Sequence, residues 1–131
     1  MQAEWIREAR EWLQRAERDL AAGEALTISQ PALPEMVAYH AQQAGEKSLK
    51  AFLAVHDRAF PLTHNLNVLL TLCEEFDADL ATLATAAQVL TPFATAFRYP
   101  GGPLAPPLKD AEEALKLARG IFDTVRNRIP A

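Results

Sequence analysis

The chain has few of the residues that disulfide-stabilised and β-sheet proteins need. It contains one cysteine, Cys73, so it cannot form an internal disulfide or a zinc site made of cysteines. Valine and isoleucine occur only 5 and 4 times, against 25 alanines and 18 leucines. Because β-branched residues favour strands whereas alanine and leucine favour helices, this composition predicts an all-α protein.

Excess basic charge and long apolar runs are also lacking. The formal net charge is −4, whereas nucleic-acid-binding domains usually carry a basic surface. This argues against a generic nucleic-acid binder and leaves a local basic patch open. No run of about 18 apolar residues is present, so we expect no membrane span. The first residues are charged and amphipathic, without the apolar core of a signal peptide, so we expect a cytoplasmic protein.

The usual signatures of metal, cofactor and nucleophile sites are absent as well. The three histidines, His40, His56 and His64, do not have the spacing that places two imidazoles on one helical face. The glycine pair at 101–102 is flanked by prolines and lacks the strand-to-helix context of a phosphate-binding loop. We therefore predict no metal site and no cofactor, and we expect Cys73 to be a core residue.

At 131 residues, the chain is expected to form a single domain, 1–131. Apolar residues that recur every three or four positions predict five helices, arranged as an up-and-down four-helix bundle with an additional short helix. The predicted helices cover 3–26, 34–56, 64–76 after an N-cap at Thr63, 77–97 with Asp77 as N-cap and a break at Pro92, and a last helix from Pro107. The Pro- and Gly-rich stretch 99–107 predicts the longest loop.

The second predicted helix sorts its residues into two faces at 100° per residue. One face is apolar or small, and its small residues at 41, 44, 45 and 48 allow another helix to approach closely. The other face is polar and carries Gln43, Glu46 and Lys50, with His40 and Lys47 at the border. The apolar content of 50% exceeds what one small bundle covers easily, which favours a homodimer.

This helix, followed by Pro61-Leu-Thr-His-Asn-Leu66 and then by Phe97-Arg-Tyr-Pro100, resembles the HEPN domain family in the order and spacing of its motifs. The resemblance covers about 5–125 and includes Asp19-Leu20, Gln42-Gln43 and Glu46-Lys47. It implies a helical bundle that dimerises and pairs with a minimal nucleotidyltransferase, in a toxin–antitoxin-like or nucleotide-linked system.

The resemblance also draws attention to Arg98. In ribonuclease members of the family, an arginine that binds the scissile phosphate is followed a few residues later by a histidine that acts as general acid or base. No histidine follows Arg98 in this chain, which argues against ribonuclease activity. Two interpretations of Arg98 stay open. It either caps the end of the predicted fourth helix or binds the phosphate of a ligand.

We assign no catalytic residue. The candidate residues for ligand or partner binding are Arg98, Tyr99, Lys47, Gln43 and His40. For Lys47 and Gln43, the alternative is an ordinary solvated helix face. The favoured interpretation is a HEPN-like binding module, a dimeric partner of a minimal nucleotidyltransferase with a nucleotide or RNA near Arg98. The alternative is a ribonuclease toxin with a divergent active site, and a purely structural helical domain also stays open.

Overall fold

A computed structural model describes residues 1–131 and contains five α-helices, two 3-10 segments and no β-strand. The helices are α1 (Ala3–Thr27), α2 (Pro34–Val55), α3 (Leu66–Glu74), α4 (Ala84–Leu90) and α5 (Leu108–Arg126). The 3-10 segments are Ala78–Leu83 and Thr91–Ala94, on either side of α4. The all-α prediction is confirmed. None of the helices combines the length and the apolar character needed to cross a membrane.

The central helix of the bundle is α2. Its largest interfaces are with α1 and α5, which also contact each other, and α3 and α4 cover more of its surface. As a result, 14 of its 22 residues are buried. These include the residues predicted to face inward, among them Ala41, Ala44, Ser48 and Phe52. The polar residues of α2 that remain near solvent are therefore confined to one edge of the helix.

Two glycines allow these helices to pack closely. A Cβ added to Gly45 of α2 would lie 2.8 Å from Cδ2 of Leu66 in α3 and 3.3 Å from Cδ1 of Leu90 in α4. A Cβ added to Gly23 of α1 would lie 2.7 Å from Cδ1 of Leu115 in α5. The prediction that small residues of α2 admit a neighbouring helix is therefore confirmed at Gly45.

α3 begins later than predicted, because its N-cap is Asn65 and not Thr63. Oδ1 of Asn65 accepts a hydrogen bond from the N–H of Asn67 at 2.9 Å, as an N-cap does. The Thr63 hydroxyl oxygen instead accepts from the N–H of Asn65 at 3.1 Å. This local bond stabilises the turn before the helix and competes with an earlier helix start.

The predicted fourth helix is divided into three pieces. Asp77 is an N-cap as predicted, since its Oδ1 accepts from the N–H of Asp79 at 3.0 Å, but the segment that it caps is 3-10 and not α-helix. The predicted break at Pro92 is confirmed: α4 ends at Leu90, and Pro92 lies in the 3-10 segment Thr91–Ala94. Proline has no N–H to continue an α-helical ladder.

In the segment predicted as the fourth helix, helical structure therefore ends at Ala94, before Phe97. Arg98 lies in a bend beyond it, with its backbone N–H bonded to the carbonyl of Thr95 at 3.2 Å. The interpretation of Arg98 as a helix-capping residue is wrong. The remaining boundaries agree with prediction to within one residue at the ends of α1 and α2, and the loop 99–107 contains no helix.

Gly45→Val should lower the free energy of unfolding by about 1–3 kcal/mol, because the added side chain overpacks the contact between α2, α3 and α4. Gly120→Val in α5 is the matched control, since a Cβ at Gly120 would have no atom within 4 Å, and valine is no worse a helix former than glycine. Urea unfolding followed by circular dichroism measures both variants. Equal stability of the two would contradict the close approach at Gly45.

Candidate functional site

A buried carboxylate on α1 joins two of the predicted site residues. Oδ1 of Asp19 accepts a hydrogen bond from Nδ1 of His40 at 2.8 Å, and its Oδ2 accepts from Nζ of Lys47 at 2.6 Å. Only 11% of the Asp19 side chain is exposed. Burial opposes ionisation of this carboxyl, but the hydrogen bonds from His40 and Lys47 outweigh burial and hold the pKa of Asp19 below its ordinary value.

The contact with Asp19 fixes the tautomer and the orientation of the His40 ring. Because a carboxylate only accepts hydrogen bonds, the ring proton of neutral His40 lies on Nδ1. Nε2 has no protein partner, and no side-chain nitrogen or oxygen is both buried and unsatisfied, so Nε2 is open to solvent. Nε2 can therefore form a hydrogen bond with a group from outside the chain.

Glu46 forms a second polar centre. Periodicity predicts that Glu46 lies on the polar face of α2, but only 5% of its side chain is exposed, so this prediction is wrong. Its Oε2 accepts from Nζ of Lys50 at 2.8 Å, and its Oε1 accepts from Nδ1 of His64 at 2.9 Å and Nε2 of Gln42 at 3.2 Å. Burial opposes ionisation, and these hydrogen bonds reverse the effect and lower the pKa of Glu46.

The burial of Glu46 has its cause in the path of the chain between α2 and α3. This segment folds back on α2, where Nε2 of Gln42 donates to the backbone carbonyl of His64 at 2.9 Å. Gln43 extends the same network, since its Nε2 donates to Oε1 of Gln42 at 2.7 Å. Gln42, Glu46 and His64 therefore hold a connector in place, which is a structural role.

Arg98 lines a groove of about 160 Å³ between the start of α2 and the segment after α4. Its guanidinium carbon lies 4.7 Å from the centre of the Tyr39 ring, a cation–π contact. The guanidinium makes no ion pair and no side-chain hydrogen bond within the chain. The other residues that line the groove are Glu35, Met36, Phe93 and Phe97.

Tyr39 connects this groove to the Asp19 centre. Its ring is edge-to-face with the ring of His40, with the two ring centres 5.7 Å apart, while Arg98 contacts the same ring. Successive contacts therefore join five side chains in a row along one edge of α2: Arg98, Tyr39, His40, Asp19 of α1, and Lys47. We call this row the α2 edge.

The structure separates the five predicted site residues. His40 and Lys47 share one carboxylate, Gln43 contacts its neighbouring glutamine, and Arg98 lies on a tyrosine ring. Tyr99 is 70% exposed and does not line the groove. Of the five, only His40 and Lys47 meet at a common group, Asp19. Arg98 is linked to His40 through Tyr39, a residue that the sequence analysis did not consider.

Sequence reasoning missed the contacts of Asp19 and the positions of Tyr39 and Glu35 in the groove. The sequence did contain a signal for Asp19. This residue interrupts the apolar stripe of α1 between Ala16 and Gly23, and a carboxylate at a buried position needs a partner. No such signal existed for Tyr39 and Glu35. Their proximity to Arg98 depends on where the chain runs after α4, and no helical periodicity reports that path.

Two further observations limit the chemistry of the molecule. Cys73 is fully buried as predicted, and burial raises the pKa of its thiol to about 12, so the thiol stays protonated and is a poor nucleophile. No group of three or more histidine, cysteine, aspartate and glutamate side chains is placed to hold a metal ion.

Comparisons with known proteins agree with the fold. The family profile of the HEPN domain matches residues 5–128. The archaeal HEPN homologue ST0689 superposes with a TM-score of 0.76 at 26% identity, over 93% of this chain and 98% of the homologue. The protein TT1696 from Thermus thermophilus superposes with a TM-score of 0.73 at 28% identity, over 91% and 96% of the two chains. No curated protein sequence matches significantly.

Asp19→Asn should lower the free energy of unfolding at pH 7 by about 1–3 kcal/mol, since it leaves Lys47 and His40 without their carboxylate. Because the pKa of Asp19 is lowered in the folded state, its contribution is complete above the ordinary aspartate pKa of about 3.9. The contribution is lost as the pH falls through the lower folded value. The difference between wild type and variant should therefore narrow below about pH 4, measured by urea unfolding at each pH.

Asp123→Asn is the control for this experiment. Asp123 pairs with Arg126 at 3.3 Å on the surface, where 44% of its side chain is exposed, so its loss should cost no more than about 0.5 kcal/mol. Two variants of equal stability at pH 7 would contradict the structural importance of the Asp19 centre.

Proposed function

Because this chain belongs to the HEPN domain family, we propose that it is a dimeric helical binding module that docks a minimal nucleotidyltransferase and uses Arg98 to hold an anionic group. The partnership, in a toxin–antitoxin-like or nucleotide-linked system, is supported by the family resemblance of the motifs on α2 and around Arg98. The anionic group is the phosphate of a nucleotide or RNA, or an acidic side chain of the partner.

The observation that carries this proposal is the free guanidinium of Arg98. A guanidinium presents N–H donors in one plane and can bind two oxygens of a phosphate or carboxylate at once. The Tyr39 ring holds the group in place at 4.7 Å, and the guanidinium forms no ion pair with a carboxylate of the chain, although Glu35 lines the same groove. Its charge and its donors are therefore available to an external anion.

Exposed apolar side chains near the groove favour contact with a second copy. Met36 in the groove is 39% exposed, and Tyr99 and Leu104 in the following loop are 70% and 80% exposed. Exposed apolar groups of this kind mark interaction surfaces, and two-fold dimers are the commonest oligomers. In a two-fold dimer, the two Arg98 residues would face one cleft and present two guanidiniums to one anion.

Arg98→Ala should weaken binding of the nucleotidyltransferase encoded by the neighbouring gene, measured by pull-down and titration calorimetry. We expect at least a tenfold loss of affinity, the effect of about 1.4 kcal/mol, with a thermal midpoint close to that of wild type. Arg119→Ala is the control, because Arg119 is also exposed but pairs with Glu24 at 2.7 Å on another face. Tyr99→Phe tests whether the exposed hydroxyl is an acceptor for the partner enzyme.

Light scattering of each variant separates binding from assembly. Wild type and Arg119→Ala should both give the mass of a dimer. If Arg98→Ala unfolds the protein, or if it binds the partner as tightly as Arg119→Ala does, Arg98 has a structural role and the proposed site is wrong. A clean monomer mass near 14.4 kDa for wild type would contradict the dimer.

A second candidate function is that of a ribonuclease toxin with a divergent active site. The observation in its favour is His40, whose Nδ1 is held by Asp19 and whose Nε2 is open. A solvent-accessible imidazole and a free guanidinium are the two groups that metal-free cleavage of RNA requires. Against it, His40 and Lys47 already have a structural role in joining α1 to α2.

Purified protein should show little metal-independent cleavage of single-stranded RNA. Without a general acid or base beside the scissile phosphate, the rate falls by about 10²–10⁴-fold. Cleavage of a labelled oligonucleotide in EDTA measures this directly. Robust cleavage that is lost in both Arg98→Ala and His40→Asn, but kept in Arg119→Ala, would establish the ribonuclease function instead.

A further inference from the structure

We propose that two copies of this chain pair through a charged stripe on α1, with the two helices antiparallel. The α1 stripe consists of exposed residues that recur at alternating spacings of four and three: Glu4, Glu8, Glu11, Arg15 and Arg18. None of these residues lines the groove at Arg98. The inference therefore concerns a second surface of the molecule and does not depend on the anion site proposed above.

The α1 stripe occupies one face of the helix. Its alternating spacings average about 3.5 residues, the repeat that keeps a row of side chains along the contact line of two paired α-helices. The buried residues of α1 belong to a different face, which packs on the bundle: Ala9, Ala16, Asp19, Leu20 and Gly23. The face that carries the stripe is therefore open to another helix.

The two signs of charge are separated along the stripe. The three glutamates come first and the two arginines follow. Attraction to the helix dipole does not account for this order, because that effect is confined to the first and last turns, whereas the residues from Glu8 to Arg18 lie inside α1. The order also places like charges three residues apart, at positions 8 and 11 and at positions 15 and 18, which destabilises an isolated helix.

The chain itself supplies no partner for these charges. The glutamates and arginines of the stripe form no ion pair with any residue of the chain. Glu11 and Arg15 have the spacing of an intrahelical pair, but Nη1 of Arg15 donates to the backbone carbonyl of Glu11 at 3.3 Å. The Glu11 carboxylate is therefore left without a cation.

A second copy in antiparallel orientation pairs the charges from Glu8 to Arg18. When the two-fold axis passes beside Leu13, Glu8 of one helix meets Arg18 of the other, and Glu11 meets Arg15. Each pair occurs twice because a two-fold contact is isologous, and the pairs span about 15 Å of helix. A parallel arrangement would instead place like charges opposite each other, so the charge order selects the antiparallel one.

A cavity at the centre of the stripe provides an aromatic anchor for this contact. It has a volume of about 200 Å³ and is lined by Glu8, Glu11, Trp12 and Arg15. Trp12 is only partly buried, so a guanidinium that approaches Glu11 from the second copy can also contact the indole ring, a cation–π interaction. Exposed ion pairs alone contribute little, whereas tryptophan is enriched among the residues that dominate binding energy.

Two charge-reversal variants test the pairing. Glu8→Arg/Glu11→Arg makes positions 8–18 of the stripe positive, and Arg15→Glu/Arg18→Glu makes them negative, so neither variant should pair with itself. Mixed in equal amounts, the two variants bring opposite charges together at every pair and should associate. In light scattering at about 50 mM salt, where surface charges are weakly screened, wild type and the mixture should have at least twice the mass of either variant alone.

Glu112→Arg/Glu113→Arg is the control. It changes the net charge by the same amount as Glu8→Arg/Glu11→Arg, at two exposed positions of α5, and should keep the mass of wild type. All variants should keep the circular dichroism of wild type, because the replaced side chains are exposed and form no ion pair. Raising the salt to about 0.5 M shortens the Debye length to about 4 Å and should bring wild type down to the mass of the two α1 variants.

The inference is wrong if wild type at low salt has no greater mass than the α1 variants, or if the mixture keeps the mass of its components. If a variant does not fold, the salt series of wild type still decides, since a mass that is independent of salt would contradict an ionic contact. A dimer that persists at high salt reports the contact near the groove. A monomer at high salt, with association at low salt, would contradict that contact and leave the pairing through α1 standing.

Discussion

The carboxylate of Asp19, buried between α1 and α2, is the constraint on which the rest of the site depends. A buried charge that loses its partners costs several kcal/mol, so α1 and α2 must pack in the one register that brings His40 and Lys47 to the two oxygens of Asp19. In that register, the edge of α2 that carries His40 also carries Tyr39. The polar contact between two helices therefore decides which side chains are presented beside the groove.

Close packing accounts for the position of the α2 edge. The small residues of α2 allow α3, α4 and α5 to approach its other sides, and at Gly45 no room is left for a Cβ. Because the neighbouring helices and the connector after α2 cover so much of its surface, even Glu46 becomes buried and needs Lys50, His64 and Gln42 as partners. What remains open is a single strip of side chains, and the groove lies at its end.

The end of the helical structure at Ala94 has a chemical consequence for Arg98. If Arg98 were the last residue of a helix, its charge would interact with the free carbonyls of that helix. In the bend beyond the 3-10 segment, it lies instead on the face of Tyr39, a contact that positions the guanidinium without using its N–H donors. Pro92 is the cause, because it interrupts the helix before the apolar pattern ends. A local backbone break thus turns a potential capping group into a potential binding group.

The sequence by itself determined the helical class, the limits of α1 and α2, the break at Pro92 and the inward position of Cys73, because these follow from periodicity and from local backbone chemistry. It also singled out His40, Lys47 and Arg98 as candidate binding residues. Only the tertiary structure decided the partners of these residues. Asp19 and His40 are 21 positions apart in the chain, Tyr39 and Arg98 are farther apart still, and such pairs depend on how whole helices pack. The N-cap of α3 at Asn65 is instead a local feature, set by the side chains of Thr63 and Asn65. The burial of Glu46 was decided by tertiary structure, because the connector between α2 and α3 covers a helix face that periodicity alone assigns to solvent.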